Sequence, residues 1–247
     1  MSNLTILIIK GSAHLIDLDS KITEIDGFGR FPTKILQDYN LNEEFEIFDT
    51  NVKMVNSVQS DLQSNLRRGP QIISPKDIAW MVYKSGLSTG ETVVEAGSGS
   101  GALTLALAQT VAPDGSIVTF ENNPKHLKIA KRNVTMSPWS NLVNIKEEEL
   151  NENTEIIPAA AAIVLDLPNP WNIVSWAQKS LRIGGFLICY LPTVNQVQKL
   201  VEYLDIWQEI EIVETIQRSW QSKQNALRPQ SNMIGHTGFI VSARWND

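Results

Sequence analysis

The sequence predicts an α/β fold: a parallel β-sheet covered by helices on both faces, finished by an antiparallel hairpin and preceded by a small β-rich unit. Three observations predict it. From residue 74 onward, short apolar runs of strand length alternate with stretches of helical periodicity. The last two strand-like segments follow one another with no helix between them. The first 55 or so residues hold only short alternating runs.

Residues 3 to 17 alternate around Lys10-Gly11, and Phe45 to Val55 reads similarly, so 1–55 is expected to be a small β domain. The polar stretch after it, ending at Gly69-Pro70, makes 56–73 a connector. In 74–247, Ser74 is a candidate cap for a helix opened by Pro75, with Asp77 at its third position and Ile78, Met81 and Val82 as its apolar stripe. Strands are predicted over Thr92–Ala96, Ser116–Glu121, Leu142–Lys146, Ala162–Asp166 and Phe186–Leu191. Helices are predicted over Leu103–Val111, Pro124–Met136, Trp171–Leu181 and Val194–Leu204. Glu209–Ser219 and Thr237–Trp245 form the closing hairpin.

With 247 residues, 43% of them hydrophobic, the chain can bury a large core. Its single cysteine, Cys189, excludes an internal disulfide, and His14, His126 and His236 are too scattered for a zinc site, so no metal is expected. The apolar run Leu4–Ile9 lacks a basic flank and ends at Lys10, too short for a signal or a membrane span. A cytoplasmic protein is expected. The net charge of -6 weighs against a nucleic-acid partner. Local basic groups weigh the other way: Arg67-Arg68 with Lys76; Lys125, Lys128, Lys131 and Arg132; and Arg218, Lys223 and Arg228. The second of these groups has the spacing of a solvated helix face.

The strongest local signal is Glu95-Ala96-Gly97-Ser98-Gly99-Ser100-Gly101, a strand running into a glycine-rich turn that opens a helix. Glycines there let the backbone turn sharply and lie against a ligand, and the helix N-terminus favours an anionic group. Gly97, Gly99 and Ala102 also satisfy a dinucleotide fingerprint, with Glu121 at the distance of a ribose-binding acid, so a nicotinamide enzyme is a rival. Glu95 favours S-adenosylmethionine instead. It stands two residues before the first glycine, similar to the acid that the first motif of methyltransferases commonly places near the cofactor's cationic methionine end, and it would repel a pyrophosphate. Glu121 suits two ribose hydroxyls, and Glu149 is placed for the cofactor's adenine end or belongs to a solvated acidic run, Glu147-Glu148-Glu149.

The fourth strand ends in Leu165-Asp166-Leu167-Pro168-Asn169-Pro170-Trp171. Ligands of open α/β sheets sit beyond the carboxyl ends of the strands, which puts Asp166 in the same crevice as the glycine turn. A carboxylate beside prolines and an aromatic ring suits methylation of a base nitrogen, the rigid turn positioning the acid and the Trp171 ring packing on the flat base; the alternative is an aspartate that caps the next helix.

From about residue 67 to 245 the sequence resembles the tRNA adenine-N1 methyltransferases that modify the T-loop, which have a Rossmann-like class I methyltransferase fold. The resemblance rests on Arg67-Arg68, Gln71-Ile72-Ile73, Pro75-Lys76-Asp77, the glycine turn continued by Ala102-Leu103-Thr104-Leu105, the Asp166 segment, Pro192-Thr193 with Asn195-Gln196-Val197, and Gly235-His236-Thr237. It implies S-adenosyl-L-methionine as cofactor, tRNA as partner and a homotetramer. It also implies that Ser100, Gly101, Ala102, Leu103, Glu121, His126, Glu149, Leu150 and Asp166 line the cofactor. Asp166 would act on the adenine, and Asn195, Gln196, His236 and Thr237 would lie near the substrate pocket. Ser74, Asn169 and Asn232 depart from the residues frequent there. The rivals are a related methyltransferase acting on a protein carboxylate or a tetrapyrrole precursor, and a non-catalytic RNA-binding subunit.

Overall fold

A computed structural model describes residues 3–67, 69 and 72–247. Arg68, Pro70 and Gln71, all named above, lie outside the described residues. The chain divides into two compact units. The first runs from the N-terminal strands to Arg67 and includes Thr135–Ser140; the second takes the rest.

In the first unit, β1 (Leu4–Ile9) and β2 (Ser12–Asp17) form a hairpin, as do β3 (Ile22–Ile25) with β4 (Gly29–Pro32) and β5 (Glu44–Ile47) with β6 (Thr50–Asn56). The order β2-β1-β6-β5 makes one antiparallel sheet. Lys10 and Gly11 both have positive φ, the geometry of a two-residue turn whose twist matches the strands it joins. Alternate residues, among them Leu7, Ile9, Phe45 and Val52, face a single core. The expected connector is not all irregular. Gln59–Asn65 is a helix, α1, because Leu62 and Leu66, one turn apart, are both buried.

The second unit alternates strand and helix: α2 (Pro75–Ser85), β7 (Thr92–Ala96), α3 (Ala102–Val111), β8 (Ser116–Phe120), α4 (Pro124–Thr135), β9 (Val143–Lys146), β10 (Ala160–Leu165), α5 (Val174–Ser180), β11 (Leu181–Leu191) and α6 (Val194–Val201). It closes with β12 (Gln208–Val213), the short hairpin β13 (Trp220–Gln221) and β14 (Arg228–Pro229), and β15 (Phe239–Arg244). The seven-stranded sheet has the order β12-β15-β11-β10-β7-β8-β9, parallel from β11 to β9, with β15 antiparallel between β11 and β12. This is the Rossmann-like α/β fold expected, hairpin included.

All six residues of β10 are buried, as a strand covered on both faces requires. Cys189 and Trp176 are core residues too, and α4 turns Lys125, Lys128, Lys131 and Arg132 to solvent. Ser74 stands at the N-cap of α2, but its side chain makes no capping hydrogen bond; Pro75 opens the helix and Asp77 lies in its first turn. No helix among the described residues is long and apolar enough to cross a membrane.

Candidate active site

The chain runs outward from β7 through β8 to β9, then returns to β10 on the other side of β7. That reversal opens a crevice at the carboxyl ends of β7 and β10. The two strand ends meet there: Asp166 N donates to Ala96 O at 2.9 Å, and Gly97 N donates to Phe120 O at 2.9 Å. Gly97 has φ +88°, and a Cβ on it would stand 2.2 Å from the Asp166 carbonyl oxygen, so only glycine fits. Gly99, also at positive φ, donates its N–H to Glu121 Oε2 at 2.9 Å, while Asn123 N donates to Glu121 Oε1 at 2.9 Å. Glu121 is thereby fixed across the mouth of the turn, and each of its oxygens keeps a lone pair for a ligand hydroxyl. His126 Nδ1 stands 3.8 Å from the same carboxylate.

Three carboxylates converge on this turn. Glu95 is 1% exposed; Thr104 Oγ1 donates to its Oε2 at 2.5 Å, and its Oε1 has no partner. Burial pushes Glu95 up from 4.5 to about 7 against the Thr104 bond, and the Asp166 and Glu121 charges add to the rise. Burial, with the Glu121 charge behind it, lifts Asp166 from 3.8 to about 6. No lysine or arginine among the described residues pairs with any of the three. A pocket that already strains to hold negative charge favours a cation over a pyrophosphate, which weighs against the nicotinamide rival.

The cavity in front of the turn measures about 320 Å³, within the range of small-molecule sites, and is lined by Gly97, Gly99, Glu121, His126, Glu149, Leu150 and Asp166 among others. A neighbouring groove of about 630 Å³, beside β8, β9 and the segment after them, is larger; its charged lining is Lys146, Glu148 and Glu155, and it includes neither the glycine turn nor Asp166. The other expected cofactor residues stand behind the cavity wall. Glu95 lies beneath it, Ser100 is buried with its carbonyl bound by Asn133 Nδ2 at 2.8 Å, Gly101 is the N-cap of α3, and Ala102 and Leu103 are buried in its first turn.

The expected substrate residues divide. Gln196 Nε2 donates to Pro168 O at 3.0 Å, tying the start of α6 to the Asp166 turn. Asn195 is exposed beside it. His236 bridges the ends of two strands, with Nδ1 2.5 Å from Glu214 Oε1 and Nε2 3.2 Å from Pro192 O; the Glu214 carboxylate and then the Pro192 carbonyl hold it above the ordinary imidazole value. Thr237 turns away from the cavity and donates to Asp77 Oδ2 at 2.7 Å. Asp166 caps no helix: the turn Pro170–Ile173 begins after Asn169. Trp171 corrects an expectation. Pro170 starts that turn so that the ring packs into the core, 8% exposed, with Lys199 Nζ 4.3 Å above its face, and a base cannot stack there.

Sequence reasoning missed the cluster around Asp77. Its buried carboxylate also receives Thr215 Oγ1 at 2.5 Å and Lys76 Nζ at 2.9 Å, and Tyr190 Oη donates to Thr237 O at 2.7 Å. Burial works to raise the Asp77 carboxyl, but the Thr215 and Thr237 hydroxyls and the Lys76 ammonium outweigh it and hold it below the usual range. The signal was present: Asp77 lies four residues before Met81 and eight before Ser85, on the helix face that is buried.

The model of the family described as tRNA methyltransferase complex GCD14 subunit matches residues 61–233. The chain is 33% identical over 219 residues to the tRNA (adenine(57)-N(1)/adenine(58)-N(1))-methyltransferase TrmI of Methanocaldococcus jannaschii, covering 77% of each. It is 34% identical over 188 residues to the tRNA (adenine(58)-N(1))-methyltransferase TrmI of Thermus thermophilus, covering 73% of this chain and 71% of that one. Among solved structures, a SAM-dependent O-methyltransferase from Thermotoga maritima superposes with a TM-score of 0.85 at 25% identity, covering 100% of this chain and 94% of the other. The glycine turn, Asp166 and most of the Asp77 cluster fall within the matched residues, and the chain belongs to the GCD14 family of tRNA methyltransferase complex subunits.

Proposed function

We propose that this chain transfers a methyl group from S-adenosyl-L-methionine to N1 of an adenine in the T-loop of tRNA, of the adenine-58 type. The observation that carries this is the uncommitted, partly exposed carboxylate of Asp166 at the end of β10, beside the glycine turn, in a chain whose relatives are named adenine-N1 methyltransferases.

The residues present fit the cofactor. Glu95 Oε1 is buried with no hydrogen-bond partner, and a glycine at 97 lets the Asp166 strand end close against the turn, which brings Asp166 and Glu121 to one cavity. Glu95 and the Gly97–Gly99 turn would hold the cationic methionine end. Glu121 would hold the ribose, and His126, Glu149 and Leu150 the adenine end. When bound, S-adenosyl-L-methionine supplies a sulfonium methyl group that adenine N1 takes with its lone pair, the electrons of the broken bond staying on sulfur.

Asp166 is mostly ionised at neutral pH, one unit above its value of about 6. It accepts a hydrogen bond from the exocyclic amine, orients N1 and offsets the positive charge that develops on the ring. Gln196, through Pro168 O, and the backbone bond to Ala96 O fix the turn that presents it. The base must leave its stack to reach this carboxylate, at a cost of a few kcal/mol. Cytoplasmic location and assembly as a homotetramer, which would let one tRNA meet more than one subunit, complete the proposal.

Label from S-adenosyl-L-methionine is expected in an unmodified tRNA transcript as 1-methyladenosine, and to vanish when the T-loop adenine is replaced. Asp166→Asn is expected to lower turnover by about 10² to 10⁴-fold while cofactor binding persists. Cofactor binding without label in tRNA would turn the assignment to a non-RNA substrate. Absence of cofactor binding would favour the non-catalytic subunit.

A further inference from the structure

Between β12 and β15 the chain leaves the sheet, forms the β13–β14 hairpin and returns. From Thr215 through Asn246 it contains no acidic residue, in a protein with 27 of them and a net charge of -6. Arg218, Lys223 and Arg228 all lie on this excursion and are exposed. Several other cations of the second unit, though not all, face carboxylates: Lys84 with Glu211, Lys131 with Glu147, Arg182 with Glu91 and Arg244 with Glu209. Among the described residues no carboxylate pairs with Arg218, Lys223 or Arg228. Trp220, 55% exposed, and the exposed amides of Gln217 and Gln224 lie on the same excursion, while Gln221 Nε2 donates to Ala226 O within the hairpin. Unneutralised cations, amide donors and an exposed indole form a surface suited to phosphates and unstacked bases.

The two roots of this excursion are held together. Asp77 accepts from Thr215 at one root and from Thr237 at the other, Lys76 Nζ reaches both hydroxyls at 3.0 and 2.6 Å, and Glu214 pairs with His236. His236 in turn reaches Pro192 O, and Gln196, four residues on, holds Pro168 O at the rim of the catalytic cavity. We propose that residues 215–237 form a tRNA-docking arm, clamped at its root by Asp77 beside the lip that carries Asp166. The inference rests on the tRNA reading above. A second copy of the chain is the less suitable occupant, because a two-fold contact through this patch sets its cations against their own copies.

The test is titration of unmodified tRNA into the full-length protein at salt concentrations from about 50 to 200 mM, comparing wild type with the triple variant Arg218→Gln, Lys223→Gln, Arg228→Gln. Each lost phosphate contact removes about 0.9 from the slope of log affinity against log salt, so a slope smaller by about 2 to 3 is expected. At the lowest salt, tRNA binding should be about tenfold weaker or more, with melting temperature and cofactor affinity unchanged. A variant with the wild-type slope overturns the arm. So does lost tRNA binding accompanied by a changed sedimentation mass, which would make the arm a contact between copies. Wild-type protein that binds tRNA with the steep, arm-dependent slope yet methylates no adenine refutes the catalytic reading and leaves the arm standing.

Discussion

Replacing Glu95 with glutamine should stabilise the cofactor-free protein at alkaline pH and weaken its hold on S-adenosyl-L-methionine. The buried carboxyl releases its proton near 4.5 in the unfolded chain and at about 7 in the folded one. Between those values the folded state binds the extra proton, so this group's contribution to stability falls as pH rises, and levels off above about 7. Converted at 1.36 kcal/mol per pKa unit, the loss is about 1 kcal/mol at pH 5.5 and about 3 kcal/mol at pH 8. Glutamine keeps the shape and an acceptor for Thr104 but has no proton to lose. Its advantage over wild type should therefore grow by about 2 kcal/mol between the two pH values, which is roughly 4–8 °C of melting temperature for a chain of this size. The same substitution removes the charge opposite the cationic end of the cofactor, and its dissociation constant should rise by roughly ten- to a hundredfold. Thermal melts at both pH values, with and without cofactor, measure everything needed. A stability gain equal at pH 5.5 and 8, or an unchanged cofactor affinity, would refute the account of Glu95 as a charge held under strain for a cationic ligand.

Two further outcomes follow from the same geometry. The value of about 6 at Asp166 places an acid limb in the pH profile of kcat/KM for tRNA measured at saturating cofactor, with the rate falling about tenfold per pH unit below it and flat above; a profile level down to pH 5 would remove the carboxylate from the reaction. Gly97→Ala should abolish cofactor binding and lower the melting temperature far more than Gly90→Ala. Both positions carry the left-handed φ that costs about 1–2 kcal/mol, but only at Gly97 does the new Cβ meet backbone, whereas Gly90 has open space; equal effects would contradict the close approach of the strand ends.

The fold was legible because periodicity and burial agree along the second unit: β7 occupies the predicted range, and the other four parallel strands begin or end within a few residues of theirs, except at the start of β11. That start is extended by Leu181–Gly185, where glycines and polar residues hide strand character, and the helix predicted over Trp171–Leu181 divides at Val174 because Pro170 forces a tighter turn first. The crevice at the strand ends was legible at Gly97, Glu121 and Asp166, which line one cavity, because strand ends fix where such residues converge. Ser100, Ala102 and Leu103, which the resemblance assigns to the cofactor, are buried where the turn enters α3, and adjacency in sequence does not tell the two sides of a turn apart. The Asp77 cluster joins residues more than a hundred positions apart, and no local pattern announces a hydrogen bond of that span.

One carboxylate gripping both roots of the arm has a bearing on how this chain can change. Closing a loop costs entropy that grows only slowly with length, by about 0.6 kcal/mol for each doubling, and Asp77 closes this one whatever lies beyond Thr215 and Thr237. Residues can be added to or removed from the tip without shifting the register of β12 against β15 or the rim that presents Asp166. The grip separates a part of the molecule free to vary in length and composition from a part that is not, so the choice of what is held and the chemistry done to it can evolve at different rates.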